Sequence, residues 1–330
     1  MIVSPTREAL IAGAQALQQG RLVAFPTETV YGLGANAQSS EAVQSIYAIK
    51  GRPSTNPLIV HVPDVEAIYP LVTLTDATEH RLLILARFWP GPLTVVLPAD
   101  CRATAPEVRA GGTTVACRIP NHPAALDLLK AAQVPVAAPS ANRSNNVSPT
   151  TAAHVAEEFG NQSPLILDGG SCTVGLESTV LAIHTPRPTI LRPGFITKEI
   201  LEEALGEPVA CSYPSYSPGT PALSPGMSSR HYSPRTTLKF RSDVTHQDLQ
   251  GIRYGQIRFS GEAGSDPFPP PAQDCLLSPT GDLTDVAARL YDALRALDQE
   301  PLDLILIDSC EATGLGSAVM DRLSRAVRRG

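Results

Sequence analysis

The sequence predicts an α/β protein, with a larger unit built on a twisted, mixed sheet and a smaller α/β unit beyond a long proline- and serine-rich segment. Three observations carry this. Apolar runs of strand length alternate with segments of helical period, several of those runs follow one another with no helix between them, and the composition changes abruptly after residue 206.

In chain order, residues 6–19 place apolar side chains at helical spacing and stop at Gly20. Residues 22–25 (LVAF) read as a strand, 40–49 as a helix capped by Ser39 or Ser40, and 58–62 as a strand. Further helices are predicted near 76–88, 122–132, 151–159 and 197–205, and strands near 93–97, 113–119, 134–138, 164–167, 178–183 and 189–192. Residues 207–234 (EPVACSYPSYSPGTPALSPGMSSRHYSP) hold repeated Pro, Ser and Gly, which deny a helix its donors. Tyr213, Tyr216, His231 and Tyr232 are rings that can lie over a ligand, so this segment reads as an active-site lid, with a plain tether as the alternative. Beyond it, TLKF, the run ending IRFS at Ser260, a helix at 282–298, a strand at 302–308 and a helix at 317–328 make a small, Rossmann-like unit. The expected division is 1–206, a linker at 207–235, and 236–330.

A net charge of −6 argues against nucleic-acid binding over the whole surface, so any anion site is local. Lys50, Arg52, Arg118, Arg143 and Arg192, each in or beside a turn-rich segment, are the cations available to build it. The six cysteines form no C-x-x-C pair, which fits a reducing cytosol and no disulfide framework; Cys172 alone lies beside a candidate site. There is no apolar run of about 18 residues and no secretory leader, so a soluble, cytoplasmic protein with no membrane partner is expected. A P-loop, H-E-x-x-H and G-x-S-x-G are absent, and the histidines lack metal-ligand spacing, so no metal held by protein ligands is expected. GLGANA at 32–37 matches a loose dinucleotide fingerprint but lacks the acidic residue that would follow.

The most informative stretch is KGRPSTNPLIVH at 50–61. Lys50 and Arg52 close a helical segment and are followed by Pro53 and Pro57, which makes a rigid positive corner suited to a polyanion. Complementing the helix dipole is the plainer role for such cations. PTETVYGLGA at 26–35 leaves a strand and is expected to turn through its two glycines, facing the Thr27 and Thr29 hydroxyls into a cleft. PSANRSNNVSPT at 139–150 leaves another strand with Ser140, Asn142, Ser144 and Ser148, donors able to hold phosphate oxygens or, more plainly, a Ser or Asx turn. Thr114 and Arg118 in GGTTVACRIP, Ser178 and Thr179 in GLESTV, and Arg192 in ILRPG complete the set.

Taken together, FPTETVYGLGA, KGRPSTNPLIVH, WPGPLTVVL, TTVACRIPNHP, APSANRS, LDGG, VGLESTV, LRPG, SPGMSSRHYSP and GLGSAVMDRL resemble the L-threonylcarbamoyladenylate synthase family in its long, two-domain form. The resemblance implies an ATP-dependent nucleotidyltransferase with a YrdC-like catalytic domain. It makes threonylcarbamoyl-AMP and pyrophosphate from L-threonine, bicarbonate or CO2, and ATP with Mg2+, the first step of tRNA threonylcarbamoyladenosine modification. It further implies Lys50 and Arg52 as catalytic cations, and Arg52, Asn56, Thr114, Ser140, Asn142, Ser148, Arg192 and Tyr232 as ATP-binding. Thr29, His61, Arg118 and the Ala138 backbone would hold threonine. Hand-over to a downstream tRNA threonylcarbamoyltransferase complex, with weak tRNA contact, is the implied partnership.

Asn145 stands where the family usually has Gly, Ser171 where Pro is common, and Cys117 where a small apolar residue is common; none touches the cation pair. Two other readings compete: an RNA-binding module using the same cations, and a carbamoyl-transfer domain of the hydrogenase-maturation type, which would bring zinc-finger segments that this chain lacks.

Overall fold

The computed structural model describes residues 1–212, 232–261 and 268–327. Tyr213, Tyr216 and His231 of the expected lid lie outside them; Tyr232 lies within.

The first unit is an eleven-stranded sheet. Its strands are β1 (Ile2–Val3), β2 (Val23–Phe25), β3 (Gly32–Asn36), β4 (Ile59–His61), β5 (Leu93–Pro98), β6 (Thr114–Arg118), β7 (Val136–Ala137), β8 (Leu165–Leu167), β9 (Thr179–Ala182), β10 (Thr189–Arg192) and β11 (Ala210–Cys211). They lie in the order β1-β8-β2-β3-β7-β4-β6-β5-β9-β10-β11. The sheet is mixed, as expected: β3 and β7 run antiparallel to their neighbours, while β4 and β6 are parallel.

Helices α1 (Arg7–Gln18), α2 (Ser40–Lys50), α3 (Asp76–Leu85), α4 (Pro123–Ala132), α5 (Ala152–Phe159) and α6 (Lys198–Leu205) complete this unit. Thr6, Ser39, Thr75 and Thr151 cap four of them by accepting a hydrogen bond from a first-turn N–H, which satisfies a donor the helix cannot. On one side α1 and α4 close a core of Leu17, Phe25, Leu128 and Leu167. A larger core gathers α2, α3 and α5 with Leu33, Val60, Val95 and Cys117.

The expected turn at 32–35 is instead strand β3. Its glycines are needed for close approach: a Cβ on Gly34 would stand 2.8 Å from Val136 Cγ1 and 2.9 Å from Phe25 Cε1. The edge strands β1 and β11, two residues each, carried no apolar run long enough to read from the sequence.

The second sheet holds β12 (Thr237–Phe240), β13 (Tyr254–Arg258), β14 (Gln273–Leu276) and β15 (Leu304–Ile307) in the order β12-β15-β13-β14, all parallel. Helices α7 (Leu283–Gln299) and α8 (Leu315–Val327) pack on it. Val30, Val147, Leu176 and Tyr232 are buried in the same apolar cluster as Leu290, Tyr291 and Leu323, so the second unit is seated against loops of the first. Among the described residues no helix is long and apolar enough to cross a membrane.

Candidate active site

The 139–150 segment is laced to the 31–33 backbone. Leu33 N donates to Pro139 O (2.8 Å), Ala141 N to Tyr31 O (2.8 Å) and Tyr31 N to Pro149 O (2.9 Å). Helix α2 supplies a further anchor. Gly51, in the left-handed conformation, ends the helix, and Lys50 as its last residue turns inward, donating to the carbonyl oxygens of Ser140 (2.6 Å) and Asn142. Lys50 is 3% exposed; burial first, then the Arg52 charge, hold its pKa well below the ordinary lysine value, with Glu158 acting the other way. Arg52 leaves the helix and is gripped by the carbonyls of Asn56 (Nε, 3.2 Å) and Pro57 (Nη2, 2.9 Å). Burial lowers its pKa to about 10, so it stays charged at neutral pH.

A cavity lies between these segments, lined by Thr27, Arg52, Ile59, His61, Arg118, Ala138, Ser140, Glu177, Arg192 and Tyr232. Parallel pairing of β4 with β6 puts His61 directly beside Arg118. The His61 ring stands edge-on to Phe25, with centroids 5.9 Å apart, and its Nδ1 is 3.3 Å from Ile59 O. Burial, then the Arg118 charge, push its pKa down to about 3, so the ring is neutral. Arg118 Nη2 lies 2.8 Å from Glu28 Oε1. Glu28 holds that Nη2 as an ion pair, while Nε has no hydrogen-bond partner among the described residues, which leaves a guanidinium donor suited to a carboxylate. Arg192 is braced by Ser178, whose carbonyl accepts from Nε (3.2 Å) and Nη2 (2.9 Å). Three cations around one cavity suit a polyanion and a small zwitterion.

Residues 15–194 match the Sua5, YciO and YrdC family model, which carries the description telomere recombination, and residues 196–327 match the threonylcarbamoyl-AMP synthase C-terminal domain. The threonylcarbamoyl-AMP synthase of Bacillus subtilis is 42% identical over 97% of this chain and 94% of its own length. The chain belongs to the threonylcarbamoyl-AMP synthase family. The Pyrococcus abyssi member is 39% identical over 94% of this chain and 91% of its own. The crystal structure of P. abyssi Sua5 complexed with L-threonine superposes with a TM-score of 0.87 at 38% identity, covering 99% of this chain and 97% of that one.

For a threonylcarbamoyl-AMP synthase family member, the residues named from sequence divide into three groups. Arg52, His61, Arg118, Ala138, Ser140, Arg192 and Tyr232 line the cavity. Lys50, Asn56, Asn142 and Ser148 are buried behind that lining; Asn142 Nδ2 donates to Arg143 O and Asn146 O, both at 2.8 Å. Thr29 is also buried, its hydroxyl 2.9 Å from that of Thr27, and it is Thr27 that reaches the cavity. Thr114 opens β6 at the far end from Arg118, about 13 Å along the strand, and does not line the cavity. Arg143 points away as well, its guanidinium bonding Gln162 Oε1 at 2.9 Å.

Two functional candidates escaped sequence reading: Glu28 and Glu177. Both are acidic where an anion site was sought, and both are buried against cations distant in sequence. Cys172 lies near Glu28, and burial followed by that charge pushes its thiol up to about 12, which leaves it inert. Asn145 has φ 72°, the left-handed geometry its side chain was expected to tolerate.

Proposed function

We propose that this chain is an L-threonylcarbamoyladenylate synthase, a nucleotidyltransferase that forms threonylcarbamoyl-AMP and pyrophosphate from L-threonine, bicarbonate or CO2, and ATP. The observation that carries the reading is the pairing, in one cavity, of Arg118, anchored by Glu28 with its Nε still without a hydrogen-bond partner, beside neutral His61, with the Arg52 and Arg192 cations. ATP enters with its Mg2+ as substrate. In the proposed division, residues 1–206 carry the chemistry, 207–235 the lid and 236–330 the second domain.

The amine of threonine adds to CO2 and loses a proton, giving a carbamate. A carbamate oxygen then attacks the α-phosphorus of ATP, the bond to the β-phosphate oxygen breaks, and pyrophosphate departs with the electron pair. No protein nucleophile is needed, so the protein contributes positioning and charge neutralisation. Arg118 takes the threonine carboxylate through its fork, with the Ala138 backbone and His61 beside it. Arg52 and Arg192 bear on the phosphates, with the Ser140 hydroxyl as a neutral donor. Lys50 acts by holding the 140–142 backbone in place, a supporting role that replaces direct contact with phosphate. Threonine's own hydroxyl and methyl would meet Thr27 and Ile59, both on the cavity wall.

The product is a mixed anhydride that water destroys, and burial of Tyr232 at the cavity wall supports a closing role for the end of the linker. The product serves tRNA modification, by transfer to a downstream threonylcarbamoyltransferase. Incubation with ATP, bicarbonate and L-threonine, followed by mass detection of threonylcarbamoyl-AMP, tests the reading. Product formed equally well with serine, or none with threonine, overturns it.

A further inference from the structure

The cavity wall that should receive a polyanion carries a carboxylate, Glu177, 6% exposed. Left alone, such a group repels phosphate and is costly to bury. It is met by donors from both units. Ser148 Oγ donates to Oε1 at 2.6 Å, and from the second sheet's helices Tyr291 Oη donates to Oε2 at 3.0 Å and Arg322 Nε to Oε2 at 2.9 Å.

Arg322 is 1% exposed and makes more than this ion pair. Its Nη1 donates to Pro193 O at 2.8 Å and to Asp321 Oδ2 at 2.9 Å, and its guanidinium lies 5.5 Å from the centre of the Tyr232 ring, which itself stacks on Tyr291 with centroids 5.7 Å apart. The backbone is shaped for this approach. Gly175 has φ 74°, and a Cβ there would stand 2.4 Å from Ala287 O of α7, so helix α7 rests directly on the chain two residues before Glu177.

We propose that Arg322, with Tyr291, is a positioning residue for the nucleotide half of the cleft. It neutralises Glu177, which keeps the Ser148 hydroxyl oriented and leaves Arg192 available for phosphate. Arg192 is the cation at risk, because it shares this wall and feels the charges of both Arg322 and Glu177. A role follows for the second domain: from behind the lining it completes the charge balance of a cavity walled by the first domain and Tyr232. The inference rests on the synthase reading above.

The test compares Arg322→Met, Glu177→Gln/Arg322→Met and the parent protein in full-length chains, by threonine-dependent pyrophosphate release and by calorimetric ATP binding without threonine. Arg322→Met is expected to raise KM for ATP by on the order of tenfold while KM for threonine stays within about twofold. The double variant, which removes the opposing charge with the cation, is expected to return KM for ATP to within about threefold of the parent. A merely structural role would lower Tm in both variants without this split or this rescue. An unchanged KM for ATP in Arg322→Met, or a folded double variant as impaired as the single one, overturns the proposal; if Arg322→Met does not fold, a folded double variant whose KM for ATP is raised about tenfold or more over the parent overturns it. Weakened ATP binding in Arg322→Met, with no threonine-dependent pyrophosphate from the parent, would refute the synthase reading while the assignment of Arg322 to nucleotide positioning stands.

Discussion

The Arg118 guanidinium lies 2.8 Å from the Glu28 carboxylate, and both side chains are about one-twentieth exposed. Glu28 Oε2 also accepts from Asn121 N at 2.9 Å, so the carboxylate is pinned and in turn pins the arginine. A ligand carboxylate would thus bind a guanidinium whose direction is already set, which lowers the ordering cost of binding.

Arg118→Lys keeps the charge but loses the planar fork, and is expected to raise KM for threonine by about ten- to a hundredfold with a smaller effect on KM for ATP. Equal effects on both substrates would remove Arg118 from the threonine side. Steady-state pyrophosphate release at varied threonine makes the measurement.

Lys50→Met removes the donor that gathers the Ser140 and Asn142 carbonyls. Expected are a loss of about 2–4 kcal/mol in urea unfolding and a fall in turnover of about a hundredfold, because the 140–142 loop is released. A variant with parental stability and a lost rate would show instead that the ammonium acts on substrate.

Because His61 is held at about 3 in the fold against 6.5 when exposed, the unfolded chain takes up a proton between these values that the folded chain refuses. Its contribution is fully present above the unfolded value, and stability then falls as pH drops from about 6.5 towards 3, by up to about 1.4 kcal/mol per unit. His154, also held low chiefly by burial, acts in the same direction. Comparison of unfolding curves for the parent and His61→Gln isolates the effect; parallel pH slopes in the two proteins would contradict it.

Gly34→Ala should cost about 1–3 kcal/mol, since its methyl must displace Val136 or Phe25. Phe25 carries His61 edge-on, so KM for threonine should rise alongside the drop in Tm. A Tm shift with unchanged KM would mean that Val136 absorbs the strain.

Tyr232→Ala opens the wall at the end of the linker. The expected result is pyrophosphate release that outruns recovered threonylcarbamoyl-AMP, read by mass detection against a pyrophosphate assay. An unchanged ratio of the two would reduce the linker to a tether.

Much of the fold was legible because helical and strand periods are local: α2 with its Ser39 cap, the apolar runs of β5 and β9, and the strand β15 of the second unit follow from short-range pattern, whereas β14, with Gln273 and Asp274, carried no such run. The strand β3 was misread as a turn because a glycine looks the same whether it supplies positive φ or makes room for Phe25 and Val136. Glu28 and Glu177 were passed over because their partners Arg118 and Arg322 lie 90 and 145 residues away.

By itself, then, the sequence determined the class of fold, the cation-rich and hydroxyl-rich loops and the chemistry they suit, since these rest on residue type and spacing. Only the tertiary structure decided which cations face the cavity. Strand pairing and helix docking turned Lys50 inward to two carbonyls, set Arg118 against Glu28 on the cavity wall, and brought Arg322 to Glu177, because burial and charge compensation act between residues that meet only when the chain is folded.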